Sequence, residues 1–167
     1  KAFRGFLDLQ TKYLFDRKLI PYVSGEDSHD DFGYKSNIVT TPKRVQFEEL
    51  LTMDATKRAA FERDTIVALE EMAAQITPQV AVVAARCRGS KPELKSFCDE
   101  LRDGMSIVEL RLKHAAVLYR AVLAKVTGKD GAPSLAKAKG YTTDAAKVIA
   151  EREKHYRFPK EKLADAY

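Results

Sequence analysis

The densest group of possible metal-ligand atoms in this sequence is an acidic run near the N-terminus. It contains four carboxylates with a histidine between them, at Glu26, Asp27, His29, Asp30 and Asp31. The alternating positions Asp27, His29 and Asp31 resemble the beginning of a calcium-binding loop, although the glycine falls one place late and no bidentate glutamate follows. We therefore treat Asp27, His29 and Asp31 as a candidate metal site, and a solvated acidic turn as its competing interpretation.

The two cysteines are a second candidate, because Cys87 and Cys98 flank a predicted turn between helices. A disulfide between them would close a short loop and add about 3 kcal/mol of stability in the chain-entropy description. Against this, Cys87 lies close to the turn, whereas Cys98 lies about two helical turns beyond it, which favours a Cα separation too long for a disulfide. Two separate buried thiols are the simpler interpretation, and a disulfide is the alternative.

The same turn carries a concentration of positive charge. Arg86, Arg88, Lys91 and Lys95 surround Gly89 and form a candidate basic surface for phosphate or for an acidic protein. Nucleic-acid binding is unlikely, because no aromatic residues alternate with these cations and no helix-turn-helix spacing is present.

The two remaining histidines show no catalytic pattern. A catalytic histidine needs a carboxylate and a nucleophile placed around it in space, and the sequence shows neither. We interpret His114 as a hydrogen-bonded interior histidine of a long apolar helix. We interpret the cluster from His155 to Pro159 as the end of the last helix, where cations favour the negative end of the helix dipole.

Helices must position these candidates, because the chain from about Thr41 to Tyr156 is a succession of helix signals. Oxygen-bearing side chains precede prolines at Thr41, Thr77 and Ser90, as is typical of helix N-termini, and Glu93 completes a capping-box pattern with Ser90.

The longest apolar pattern covers Met105 to Val126, and it leaves only a narrow polar stripe of Ser106, Glu109, Lys113 and Arg120. A helix that is apolar around most of its circumference is surrounded by other helices. The sequence thus predicts an all-α bundle of about five or six helices around this central helix.

We expect a single helical domain over residues 1–167. Its parts are an N-terminal helix (1–20), an acidic loop (21–40), the helical bundle (41–158) and a tail (159–167). Inside the bundle, we expect a kink or the start of a new helix at Pro78 and a helix break at Gly104, with a further break at Gly140 left open, and a left-handed C-terminal cap at Gly89.

Length and composition are those of one globular domain, with 45% apolar and 32% charged residues and a formal charge of +5. No apolar run approaches the ~20 residues of a membrane span, so none is expected. The first residue, Lys1, indicates that a signal peptide, a larger parent protein or an expression boundary was removed, and these alternatives stay open. The localisation is unknown, with a lean toward an extracytoplasmic mature chain.

These observations favour a non-enzymatic helical domain that serves binding or assembly, as part of a longer polypeptide. Its expected partner is another protein, or a second copy of the chain, with an acidic surface, and a small-molecule ligand between helices stays open. The alternative is an accessory or catalytic helical piece of a hydrolase, with a metal or acid/base site in residues 26–31. No cofactor is identifiable, and whether the protein is an enzyme is uncertain from the sequence.

The hydrolase alternative predicts a bound ion. If Asp27, His29 and Asp31 hold a metal, the purified protein should contain it, and a chelator should lower the melting temperature, because an ion bound only to the native state stabilises that state. Elemental analysis and thermal melts before and after chelation measure both effects. If the protein is metal-free and its melting temperature does not change when the chelator is added, the prediction of this site is wrong.

Overall fold

A computed structural model describes residues 2–24 and 43–154 of the chain. Every regular element in these two ranges is helical, and no strand occurs in them, so the predicted all-α class is confirmed. The predicted metal site (Asp27, His29 and Asp31), the cluster from His155 to Pro159 and the tail lie outside the described residues.

The α-helices of the described ranges are, in chain order, α1 (Ala2–Leu9), α2 (Ile20–Ser24), α3 (Phe47–Thr52), α4 (Ala55–Phe61), α5 (Val67–Arg88), α6 (Pro92–Val126) and α7 (Ala132–Lys154). Two π-helical segments, Gln10–Asp16 and Glu62–Ile66, extend α1 and join α4 to α5. Residues 21–24 therefore belong to a helix rather than to the expected acidic loop.

The long helices α5, α6 and α7 form the frame of the fold. Contacts between Thr77 and Glu109 and between Glu70 and Arg120 show that α6 runs antiparallel to α5, because the residue numbers rise on one helix as they fall on the other. Helix α7 packs along α6, and α1 packs along α5. Because α2 and α3 also contact α6, this helix has packing partners on several sides, as its apolar pattern predicts.

The core lies where α5 faces α6. Leu69, Met72 and Ile76 of α5 are fully buried, as are Met105 and Leu112 of α6. Each such side chain contributes about 1.5–3 kcal/mol relative to an exposed one. The α5–α6 interface is thus the main source of hydrophobic stabilisation in the described residues.

The polar stripe of α6 faces α5 rather than solvent. Glu109 is buried, and it accepts hydrogen bonds from the Thr77 hydroxyl (2.6 Å) and from the Lys113 ammonium group. Near the other end of the stripe, the Arg120 guanidinium bridges to two carboxylates. It donates two bonds of 2.9 Å to Glu70 and also bonds Glu62. Hydrogen bonding to Glu70 is the largest effect that raises the Arg120 pKa.

An aromatic cluster around Tyr119 of α6 holds α2, α3 and α4 against the frame. The Tyr119 ring centroid lies 5.5 Å from that of Tyr22, 5.0 Å from that of Phe47 and 5.2 Å from that of Phe61. These are edge-on contacts of the kind that aromatic pairs prefer. The Tyr119 hydroxyl donates to the Val45 carbonyl, and the Tyr22 hydroxyl accepts from the Val45 N–H at 3.1 Å. Burial raises the pKa of Tyr22, which favours the neutral form of this ring.

No new helix begins at Pro78, the helix break expected at Gly104 does not occur, and α7 is also continuous through Gly140. A proline inside a helix costs about 3 kcal/mol through a lost hydrogen bond and a steric clash. Buried side chains on both sides of Pro78, at Ile76 and Val83, offset that cost by holding α5 against its neighbours. Packing therefore overrides the local signal in α5.

The predicted caps around Gly89 are also wrong. The Ser90 hydroxyl donates to the Cys87 carbonyl at 2.8 Å, so it stabilises the end of α5 instead of forming a capping box with Glu93. Helix α6 begins after Lys91 without a side-chain cap, and Pro92 occupies its first turn. Gly89 has φ −101°, outside the left-handed region, so it has no need to be glycine on conformational grounds.

The stretch Ala55–Arg88 is helical throughout its 34 residues, and by length and composition alone it is able to cross a membrane. No such stretch was expected, because no apolar run in the sequence approaches the length of a membrane span. One helix of this kind is weak evidence for a membrane span, since the core helix of a soluble protein passes the same test. Several apolar residues of α5, among them Leu69, Met72 and Ile76, are buried in the core, whereas Val82 is exposed.

Glycine-to-alanine substitutions should separate two kinds of glycine in this fold. An added Cβ at Gly104 or Gly140 meets no atom within 4 Å. Gly104→Ala and Gly140→Ala should therefore each raise the free energy of unfolding by about 0.5–1 kcal/mol, through the lower entropy of the unfolded chain. Gly128 is equally open but has φ +69°, so Gly128→Ala should lower that free energy by about 1–2 kcal/mol. Urea unfolding followed by circular dichroism measures all three. A stabilised Gly128→Ala variant would contradict the turn conformation.

Candidate protein-binding surface

The end of the α5–α6 hairpin combines exposed cations with exposed apolar side chains. Helix α5 ends at Arg88 and α6 begins at Pro92, and the first residues of α6 are mostly exposed. We call this surface the basic tip, and define it by Arg86, Arg88, Lys91, Leu94 and Phe97.

Cys87 and Cys98 lie at disulfide distance at the base of the tip. Their Cα atoms are 5.4 Å apart, within the usual range for a bridged pair. The interpretation as two separate thiols is therefore wrong, and the described residues contain no free cysteine.

The geometric objection to this pair fails because α6 begins beyond the end of α5. Six residues separate Pro92 from Cys98, a rise of about 9 Å along a helix. Cys98 is level with Cys87, and Cys87 lies one residue before the end of α5. Most of the rise of about 9 Å between Pro92 and Cys98 therefore extends past the end of α5. Extended Lys91, with ψ 151°, carries the chain outward to that start. The first turns of α6 therefore project from the fold, which explains their exposure.

The four cations predicted to form a basic surface separate into two groups. Arg86, Arg88 and Lys91 are exposed and form no ion pair within the described part of the chain. Lys95 instead pairs with Asp99 at 2.8 Å. Three of the four predicted cations are thus exposed at the tip, and the fourth, Lys95, forms an ion pair within α6.

Asp99 belongs to a charged network that stiffens α6 just behind the tip. It accepts a bond from the Arg102 guanidinium at 2.8 Å, and Arg102 also bonds Asp103 at 2.7 Å. The hydrogen bond to Asp103 is the largest effect that raises the Arg102 pKa. The paired charges lie toward the bundle, and the unpaired charges lie at the tip.

Two large apolar side chains of the tip stand in solvent. Leu94 is 57% exposed and Phe97 is 54% exposed, and their spacing places them on one face of α6. Sequence periodicity did not identify them as surface residues, because the apolar pattern of Leu94, Phe97 and Leu101 is typical of a buried face. Only the pairing of Cys98 with Cys87 shows that this part of the face lies beyond its neighbours.

The other candidate residues do not join this surface. His114 is half-buried in the middle of α6 and forms no hydrogen bond within the described residues, unlike the bonded interior histidine that we expected. Residues 2–24 and 43–154 contain no group of three histidine, cysteine or acidic residues able to hold a metal. The candidate site at Asp27, His29 and Asp31 stays a prediction.

Comparisons of this chain with protein-family models, with curated proteins and with solved structures find no match.

The cysteine pair predicts a measurable loss of stability on reduction. Opening the bridge, or replacing both residues in Cys87→Ser/Cys98→Ser, should lower the free energy of unfolding by about 3 kcal/mol, because the unfolded chain gains loop entropy. Urea unfolding with and without reductant measures the loss. The double variant is the control, because reductant should not change its midpoint.

Thiol counting tests the pair independently of stability. Alkylation of the denatured, unreduced protein should modify neither cysteine, and prior reduction should expose both. Two reactive thiols before reduction would contradict the pairing.

Proposed function

We propose that this is a non-enzymatic helical binding domain, and that its basic tip binds an acidic surface of another protein. The observation that carries the proposal is that Leu94 and Phe97 are exposed at the same end of the α5–α6 hairpin as Arg86, Arg88 and Lys91, three exposed cations that form no ion pair within the described residues. Clustered exposed apolar side chains with a polar rim are typical of protein interaction sites.

The charge of the rim identifies the kind of partner. Three exposed cations at one end of the hairpin favour a surface that carries several carboxylates, and they disfavour a basic one, since like charges across an interface cost several kcal/mol. Between the carboxylates, the partner should offer an apolar depression that receives Leu94 and Phe97. We therefore commit to an acidic protein surface with exposed apolar residues as the occupant.

The rigidity of the tip supports the same role. The Cys87–Cys98 pair ties α6 to α5 immediately below the projecting turns, and the Asp99 network stiffens the next turn. A binding element that is already ordered loses little conformational entropy on association.

The proposal predicts how the domain binds immobilised peptides that contain several Asp and Glu residues and one or two Leu residues. Wild-type protein should bind them in a salt-dependent way, because the Debye length falls from about 10 Å at 0.1 M salt to about 3 Å at 1 M. The triple reversal Arg86→Glu/Arg88→Glu/Lys91→Glu should remove most of the binding. Leu94→Ser should weaken binding to these peptides but not to peptides in which Ser replaces Leu.

A reversal of equal size elsewhere provides the matched control. Lys137, Lys139 and Lys147 are exposed on α7, so their triple reversal to Glu changes the net charge by the same amount. If both reversals weaken binding equally, net charge rather than the tip is responsible, and the proposal fails. Sedimentation of the isolated protein tests self-association, and salt-sensitive dimers lost in the tip reversal would assign the surface to a second copy instead.

A further inference from the structure

A cavity of about 280 Å³ lies between α2, the residues before α3, and the middle of α6. It is separate from the basic tip, since the fourteen residues from Phe97 to Arg111 correspond to about 20 Å along a helix. Its lining consists of Tyr22, Val23, Arg44, Phe47, Arg111, His114, Ala115, Leu118 and Tyr119.

One side of the cavity is an aromatic and aliphatic wall. Tyr22, Phe47 and Tyr119 belong to the edge-on aromatic cluster, and Leu118 and Ala115 continue the apolar surface along α6. The two tyrosine hydroxyl groups are already bonded to the backbone of Val45. The rings therefore offer mainly apolar contact to a ligand, as the walls of small-molecule sites commonly do.

The cavity lining also contains cationic side chains. Arg44, Arg111 and His114 line the cavity, and none of its lining residues within the described ranges carries a carboxylate. Arg111 and His114 are three residues apart on α6, so their side chains lie on the same face. Neither forms a hydrogen bond or an ion pair within the described part of the chain. The donors of the Arg111 guanidinium and the imidazole of His114 are thus available at the edge of an apolar wall.

We propose that this cavity binds a small molecule that joins one aromatic group to one anionic group. Arg111 and His114 hold the anion, and the wall formed by Tyr22, Phe47 and Leu118 contacts the ring. The volume limits the ligand to about the size of one ring with its head group, because pockets for drug-sized ligands begin near 300 Å³. A carboxylate and a phosphate share the required chemistry, because guanidinium donors bond both.

Calorimetry with benzoate and with phenyl phosphate tests the proposal, and the two probes distinguish the head groups. At least one should bind at a single site, whereas benzyl alcohol, which lacks the anion, and inorganic phosphate, which lacks the ring, should bind at least about tenfold more weakly. Arg111→Gln should weaken binding of the preferred probe about tenfold, and His114→Gln should weaken it by a smaller factor.

Two controls separate this site from general charge effects and from the basic tip. Lys125→Gln removes an exposed cation from α6 outside the cavity and should leave probe affinity unchanged, as should the triple reversal of the tip. Arg111 is exposed, so its replacement should leave the melting temperature close to that of the wild type.

The proposal is overturned if neither anion binds at concentrations up to about 10 mM, if Arg111→Gln binds as the wild type does, or if benzyl alcohol binds as tightly as the anions.

Discussion

The antiparallel register of α5 and α6 is the constraint on which the rest of the fold depends. Three different interactions hold the same register: the Cys87–Cys98 pair at one end, the bond from Thr77 to buried Glu109 in the middle, and the bridge from Arg120 to Glu70 at the other end. A slip by one helical turn is about 5.4 Å, which would break all three and take the Thr77 hydroxyl away from the buried Glu109 carboxylate. Hydrophobic burial favours the pairing of these helices, and the polar contacts select one alignment.

Both proposed sites follow from that register. Because Cys98 is level with Cys87, the preceding turns of α6 extend past the end of α5, and Leu94 and Phe97 are exposed there. Farther along α6, the same alignment turns Tyr119 toward Tyr22 and Phe47 and places Arg111 in the lining of the cavity. The two proposed sites therefore lie on one helix, the protein-binding surface near its start and the small-molecule cavity past its middle.

The sequence predicts the fold class and the helix with the most packing partners, because an apolar pattern as long as that of Met105 to Val126 is compatible with little else. It does not predict the behaviour of Pro78 or Gly104. Pro78 and Gly104 each destabilise a helix by a few kcal/mol or less, and buried contacts with residues far away in sequence stabilise it by more than that. The orientation of Glu109 and the pairing of the cysteines escape prediction for a related reason: both depend on where the next helix begins, and that depends on the backbone of Lys91.

The cations of the tip were identifiable from sequence, whereas its apolar residues had the spacing of a core.

The distribution of ion pairs indicates which charges the fold itself uses. Arg120, Arg102 and Lys95 each have a carboxylate partner, and these pairs bridge helices or stiffen α6. Arg86, Arg88 and Lys91 have none within the described residues. Exposed ion pairs contribute only about 0–1 kcal/mol, so leaving three surface cations unpaired costs the fold little stability. It does keep their charge available to a partner, and a partner that covers Leu94 and Phe97 would also remove water from those cations and strengthen their interaction with carboxylates. In a complex of the proposed kind, the apolar and cationic parts of the tip would therefore reinforce each other.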